Sequence, residues 1–170
     1  MIHLATIWRD ATRTRAERNR WTGGARRDKV ARMKLHQKTL TLATQPRRLL
    51  DVTSALGALV SESGVRSGLC TILCRHTSAG LCIQENADPA VLRDLARFLE
   101  RLAPESSEYE HGEEGPDDMP AHLRTLLTRT TESVPIVGGR LALGTWQAVY
   151  LWEHRARGRK RELLVTIVGE

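Results

Sequence analysis

CRHTSAGLCIQENADP, residues 74–89, runs from strand to turn to strand to helix start. Just upstream, GLCTILC (Gly68–Cys74) alternates, so Cys70, Ile72, Cys74 and His76 share one face of a strand. Three apolar members mark that face as buried, and His76 stands where the strand runs out. Thr77-Ser78-Ala79-Gly80 turns the chain, and Leu81–Glu85 reads as a second short strand. Asp88-Pro89 opens a helix, with a capping carboxylate and a proline in the first turn. A histidine at the edge of a rigid sheet beside a polar turn is a common position for a binding or catalytic group. The plainer reading is a histidine satisfied by a neighbouring carbonyl, with Thr77 and Ser78 only making the turn.

Outward from this stretch the pattern stays regular between Met33 and the C-terminus. Lys34–Leu42 reads as a strand. Leu49–Ser63 places Val52, Ala55, Leu56, Leu59 and Val60 at helical spacing, with Asp51 at its start and Gly64 as its stop. Asp88–Leu102 is a second helix with Val91, Leu92, Leu95, Phe98, Leu99 and Leu102 on its core side. A polar, acidic loop leads to a third, short helix from about Asp118 to Thr130. Ser133–Val137, Arg140–Leu143, Thr145–Arg155 and Glu162–Val168 are strand-like, separated by glycines and a basic turn. Helices interleaved with an antiparallel second half predict one α+β domain over residues 33–170, long enough for a real core.

Residues 1–32 are different. They hold nine basic and three acidic residues without useful periodicity, and are expected to be a disordered basic extension, with Met33 as the natural start. The rest of the chain holds seventeen residues of each sign, so the formal charge of +6 lies entirely in this arm. The balanced body offers no reason to propose nucleic acid as a partner. The longest uncharged apolar run, Leu141–Trp152, is 12 residues, short of the roughly 20 a membrane helix needs. Cys70, Cys74 and Cys82 are odd in number and lack a CxxC spacing, which fits buried free thiols in a reducing cytoplasm.

Two further segments carry chemistry. In YEHGEEGPDDMPAH (Tyr109–His122), Asp118 and His122 are four residues apart on the third helix and can meet, while His111 approaches from the acidic loop. With His76, these are the ligand types for zinc or another divalent ion such as magnesium. The same residues also read as a helix cap stabilising a protonated His122, with His111 solvated. In GGRLALGTWQAVYLWE (Gly138–Glu153), both sides of the last strand are apolar, as for a central strand or one covered by another subunit. Gly144 before Thr145-Trp146-Gln147 admits a ligand against the backbone, or a bulge.

Taken in order, HTSAGLCIQENADP, YEHGEEGPDDMPAHL, VPIVGGRLALGTWQAVYLWEHR and the closing VTIVGE resemble the YjbQ-like family, whose members are labelled secondary thiamine-phosphate synthases. The resemblance covers about Met33 to Glu170. It implies a compact α+β fold whose sheets pack around the threefold axis of a homotrimer. It also implies a site at His76, His111 and His122, with Asn86, Asp88, Asp118, Trp146 and Gln147 nearby. The expected activity joins a pyrimidine-methyl diphosphate to a thiazole phosphate, releasing diphosphate. In that chemistry His76, Asn86 and Asp88 are the catalytic candidates, and Thr77, Ser78, Gly144, Trp146 and Gln147 those for binding a small phosphorylated substrate. His111, His122, Asp118 and His76 are the candidates for holding a divalent ion. The alternative is a non-catalytic trimer that binds a metal ion or a small anionic metabolite.

Overall fold

Alternating apolar residues need a partner layer, and the chain supplies two antiparallel sheets that bury them against each other. A computed structural model describes residues 32–106 and 108–170. Except for Arg32, the extension expected at residues 1–32 lies outside them. The order is β1 (Lys34–Ala43), β2 (Leu49–Asp51), α1 (Thr53–Ser63), β3 (Ser67–Cys74), β4 (Ala79–Glu85) and α2 (Pro89–Leu102). Then come α3 (Asp118–Leu127), β5 (Thr131–Val137), β6 (Arg140–Leu141), β7 (Gln147–Glu153) and β8 (Lys160–Gly169). One sheet has the strand order β1-β8-β3-β5-β6 and the other β2-β7-β4, with every pairing antiparallel.

The core lies between the sheets. Cys70, Ile72, Val134, Ile136, Leu163, Val165 and Ile167 of the larger sheet meet Leu81, Val149 and Leu151 of the smaller one. Leu56, Leu59 and Val60 of α1 close one side. All three cysteines are free, and burial pushes the Cys70 thiol up to about 11 and the Cys82 thiol up to about 12. The helix signals act as read: Asp88 Oδ1 accepts from the Ala90 N–H at 2.7 Å, Pro89 opens α2, and Gly64 ends α1 at φ 64°.

Two expectations change. The helix expected from Leu49 starts at Thr53, because Leu49–Asp51 extends to pair with Tyr150–Trp152 of β7. Asp51 Oδ1 then accepts from the Thr53 N–H at 2.8 Å. On α2 only Leu99 is buried, while Phe98 and Leu102 are more than half exposed. Leu95, Phe98 and Leu99 border a groove of about 500 Å³ over Cys82, Gln84 and Trp152. β7 is the central strand of its sheet, as one of the two readings expected, and both its faces are covered within one chain: Val149 and Leu151 face the larger sheet, and Trp152 lies beside Ala96 and Leu99 of α2. A second subunit is not needed to cover it.

The outer face of the larger sheet is open. Leu35, Val168, Leu69 and Pro135 form one cross-strand row, and Thr39, Leu164, Leu73 and Thr131 another. Between them run Gln37, Thr166, Thr71 and Ser133, hydrogen-bonded in pairs at 2.9 and 2.8 Å.

Candidate functional site

The polar residues gather where β7 ends and the loop after α2 meets α3. Asp117 and Asp118 stand at the start of α3, and one turn later His122 lies on the same face. Asp118 is buried, and Arg155, just past β7, holds its Oδ1. The same guanidinium binds Asp117 Oδ2 through Nε at 2.9 Å and donates to the Glu114 carbonyl at 2.9 Å. Arg155 therefore fixes the acidic loop and leaves Asp118 Oδ2 facing the histidines. Burial works against ionisation of Asp117, but the Ala156 N–H and Arg155 outweigh it and hold that carboxyl below its usual range.

His111 Nε2 is 2.9 Å and His122 Nε2 3.7 Å from Asp118 Oδ2, with ring centroids 5.4 Å apart. These three ligand atoms all lie within 4.8 Å of one another. His122 Nδ1 is 3.0 Å from the Thr77 carbonyl. A carbonyl only accepts, so Nδ1 carries a proton and the ring is turned with Nε2 toward the Asp118 carboxylate. His111 Nε2 is at hydrogen-bond distance from this oxygen, whereas His122 Nε2 at 3.7 Å is too far for one, which leaves room for a cation between the three. A divalent cation suits the donor set, and Arg155 and Thr77 provide the outer contacts that orient such ligands. The residues fit a metal ion.

His76 stands outside this group of three. Its Nε2 accepts the Glu162 N–H at 2.7 Å, so the neutral ring carries its proton on Nδ1. Burial and then the charge of Arg161 push its pKa down. Ser78 is held by Arg161, whose Nη2 donates to Ser78 Oγ at 3.1 Å and to its carbonyl at 3.3 Å. Asn86, Asp88, Gly144, Trp146 and Gln147 lie at the opposite end of the small sheet. β4 pairs Ala79 with Glu153 and Glu85 with Gln147, so six residue steps, about 20 Å of strand, separate the two ends. At the far end Asn86 N–H donates to Trp146 O at 3.0 Å, and Gln147 Oε1 accepts from Gly144 N–H at 2.8 Å. Trp146 and Gln147 there border a groove of about 460 Å³.

Residues not singled out from sequence support the histidine end. Glu153 is fully buried and accepts from Thr44 Oγ1 at 2.6 Å, from Arg161 at 2.5 and 2.7 Å, and from Arg155 N–H at 3.0 Å. Burial resists its ionisation, but Arg161 and Thr44 prevail and lower its pKa. The signal was present in WEHR (Trp152–Arg155), where charged residues end an otherwise apolar strand.

His154 is buried beside them, and burial followed by the charge of Arg124 pushes its pKa down to about 3. Between that value and the unfolded one near ~6.5, the unfolded chain takes up a proton that the fold refuses. Stability is therefore full above the unfolded value and falls on acidification by up to ~1.4 kcal/mol per pH unit. Urea titrations at pH 7 and 5 should show a loss about 2 kcal/mol larger in the unmodified protein than in His154→Gln, which keeps only the smaller contribution of groups such as His76. Equal slopes in the two proteins would remove His154 as the cause.

The sequence profile of the family described as UPF0047 protein YjbQ-like matches residues 38–170. A UPF0047 protein of Synechocystis is 55% identical over 142 residues, covering 83% of this chain and 97% of that protein. The YjbQ protein of Escherichia coli is 42% identical over 136 residues, covering 79% and 99%. Among solved structures, a YbjQ-like protein of unknown function from Sulfolobus solfataricus superposes with a TM-score of 0.76 at 25% identity, covering 82% and 100%. A YjbQ/UPF0047 protein from Clostridium acetobutylicum gives 0.71 at 36% identity, covering 76% and 98%. With a match over this length and relatives at this identity, the chain belongs to the UPF0047 (YjbQ-like) family.

Proposed function

We propose that His111, Asp118 and His122 hold a divalent metal ion, and that this centre acts on a small phosphorylated substrate. The observation that carries the reading is the convergence of His111 Nε2, His122 Nε2 and Asp118 Oδ2 within 4.8 Å of one another, with the His122 ring turned by the Thr77 carbonyl on its other nitrogen. A divalent ion there supplies charge stabilisation to a departing phosphate or diphosphate. Arg155 orients Asp118, and Arg161 orients the turn that carries Thr77 and Ser78. His76, whose Nε2 is occupied by the Glu162 N–H, has its Nδ1 proton left as the one to donate to a substrate oxygen in this reading. The resemblance makes the coupling of a pyrimidine-methyl diphosphate to a thiazole phosphate the first reaction to assay.

Turnover should require added metal and disappear with EDTA, with Asp118→Asn and with His76→Ala. Metal binding without turnover of that pair or of simple diphosphate esters would overturn the enzymatic reading. It would leave a non-catalytic binder of a metal or anionic metabolite. The open sheet face, with Leu35 and Leu69 exposed, supports self-association as a homotrimer. A monomer mass by light scattering at micromolar concentration would contradict that assembly.

A further inference from the structure

A second polar region lies on the α2 side of the small sheet, away from the His111–Asp118–His122 group. Arg47 and Arg48 on the turn before β2, and Arg93 and Arg97 one turn apart on α2, line a groove of about 360 Å³. The acidic lining residue is Glu100. Glu105 pairs with Arg47 and Asp94 with Arg97, and with Glu100 counted the four arginines exceed the neighbouring carboxylates by one, so the groove keeps a small positive excess.

The groove has a distinctive floor. Arg47 sits at φ 51°, and is the only non-glycine among the described residues in the left-handed region. That backbone is held at a cost of order 1–3 kcal/mol, the kind of strain kept where a side chain must point one way. Its Nε is buried and has no hydrogen-bond partner. Arg124 is 96% buried with its Nε equally unpartnered, although Nη2 donates to the Ala103 carbonyl at 2.9 Å. Both arginines border a cavity of about 10 Å³, which shares Arg47, Ala96 and Glu100 with the groove. Buried N–H groups without acceptors are uncommon and call for a partner. The unpaired atoms here are N–H donors on guanidinium groups, so the oxygen of an anion suits them as acceptor, in competition with the carboxylates already present at Glu100 and Glu105.

We propose that this groove binds the phosphoryl end of a small phosphomonoester or diphosphate. Arg93 and Arg97 grip its outer oxygens, and Arg47 meets it from the floor with Arg124 behind. The guanidinium fork matches a phosphoryl group in both charge and spacing. A groove of about 360 Å³ is the size of a small-molecule site. The inference stands independently of the metal reading, because none of these residues belongs to the His111–Asp118–His122 group.

Isothermal titration of the full chain with inorganic phosphate and with diphosphate, in EDTA, tests it. Saturable one-site binding of diphosphate is expected, weakened about tenfold or more in Arg93→Gln/Arg97→Gln. Both positions are exposed, so the fold should survive. Arg101→Gln, also exposed on α2 but outside the groove, should stay within about twofold. Saturation by diphosphate but not by inorganic phosphate assigns the groove to esters and diphosphates rather than to the free ion. No saturation by about 10 mM diphosphate, or equal losses in the two variants, would overturn the proposal. Tighter, steeply salt-dependent binding of an RNA oligonucleotide would overturn it too, making the surface a nucleic-acid contact.

Discussion

Glu153→Ala should destabilise the fold by about 3–5 kcal/mol, because it leaves the buried Arg161 guanidinium without its counter-charge. Arg161 is 4% exposed and gives Glu153 two hydrogen bonds, and Thr44 gives it a third. The double change Glu153→Leu/Arg161→Met should recover much of the loss, since removing both charges removes the desolvation penalty as well. Urea unfolding of the three proteins measures this, and a loss below about 1 kcal/mol in Glu153→Ala would show that the pair relaxes to water. Metal affinity should fall in the same variant. Arg161 holds Ser78, and the neighbouring Thr77 carbonyl sets the proton position of His122.

His122→Ala should weaken zinc binding by about 100-fold or more while leaving the fold in place. His122 is partly exposed and makes its ring contacts at the surface, so its loss opens no core cavity. Asp118→Asn should weaken binding similarly, but it also leaves Arg155 less compensated, so some stability is lost with it. Affinity in the unmodified protein should fall on acidification, because protons compete for the imidazole lone pairs. A zinc affinity unchanged in both variants would place the ion elsewhere.

Much of the fold was legible because local chemistry and tertiary packing agree. The alternation through Cys70, Ile72 and Cys74 does bury that face, and Asp88, Pro89 and Gly64 act as helix punctuation. Leu49–Asp51 misled because a short apolar run fits either a helix start or a strand, and only its pairing with β7 decides between them. The Asp118–His122 meeting followed from helical spacing, and His111 joined them as its loop allowed. The division of the remaining candidates was not legible. Ser78 and Asn86 are close in sequence, yet an antiparallel strand carries the chain from one end of the sheet to the other between them. Glu153, Arg155 and Arg161 were missed for a related reason. A charged residue at a strand end reads as solvated until the structure shows what covers it.

Zinc-edge anomalous diffraction from crystals of the full chain grown with the metal tests the central claim most directly. The account predicts one strong peak about 2.0–2.2 Å from His111 Nε2, His122 Nε2 and Asp118 Oδ2, lost in His122→Ala. No peak there, or a peak confined to other residues such as His36 and Glu62, would contradict it.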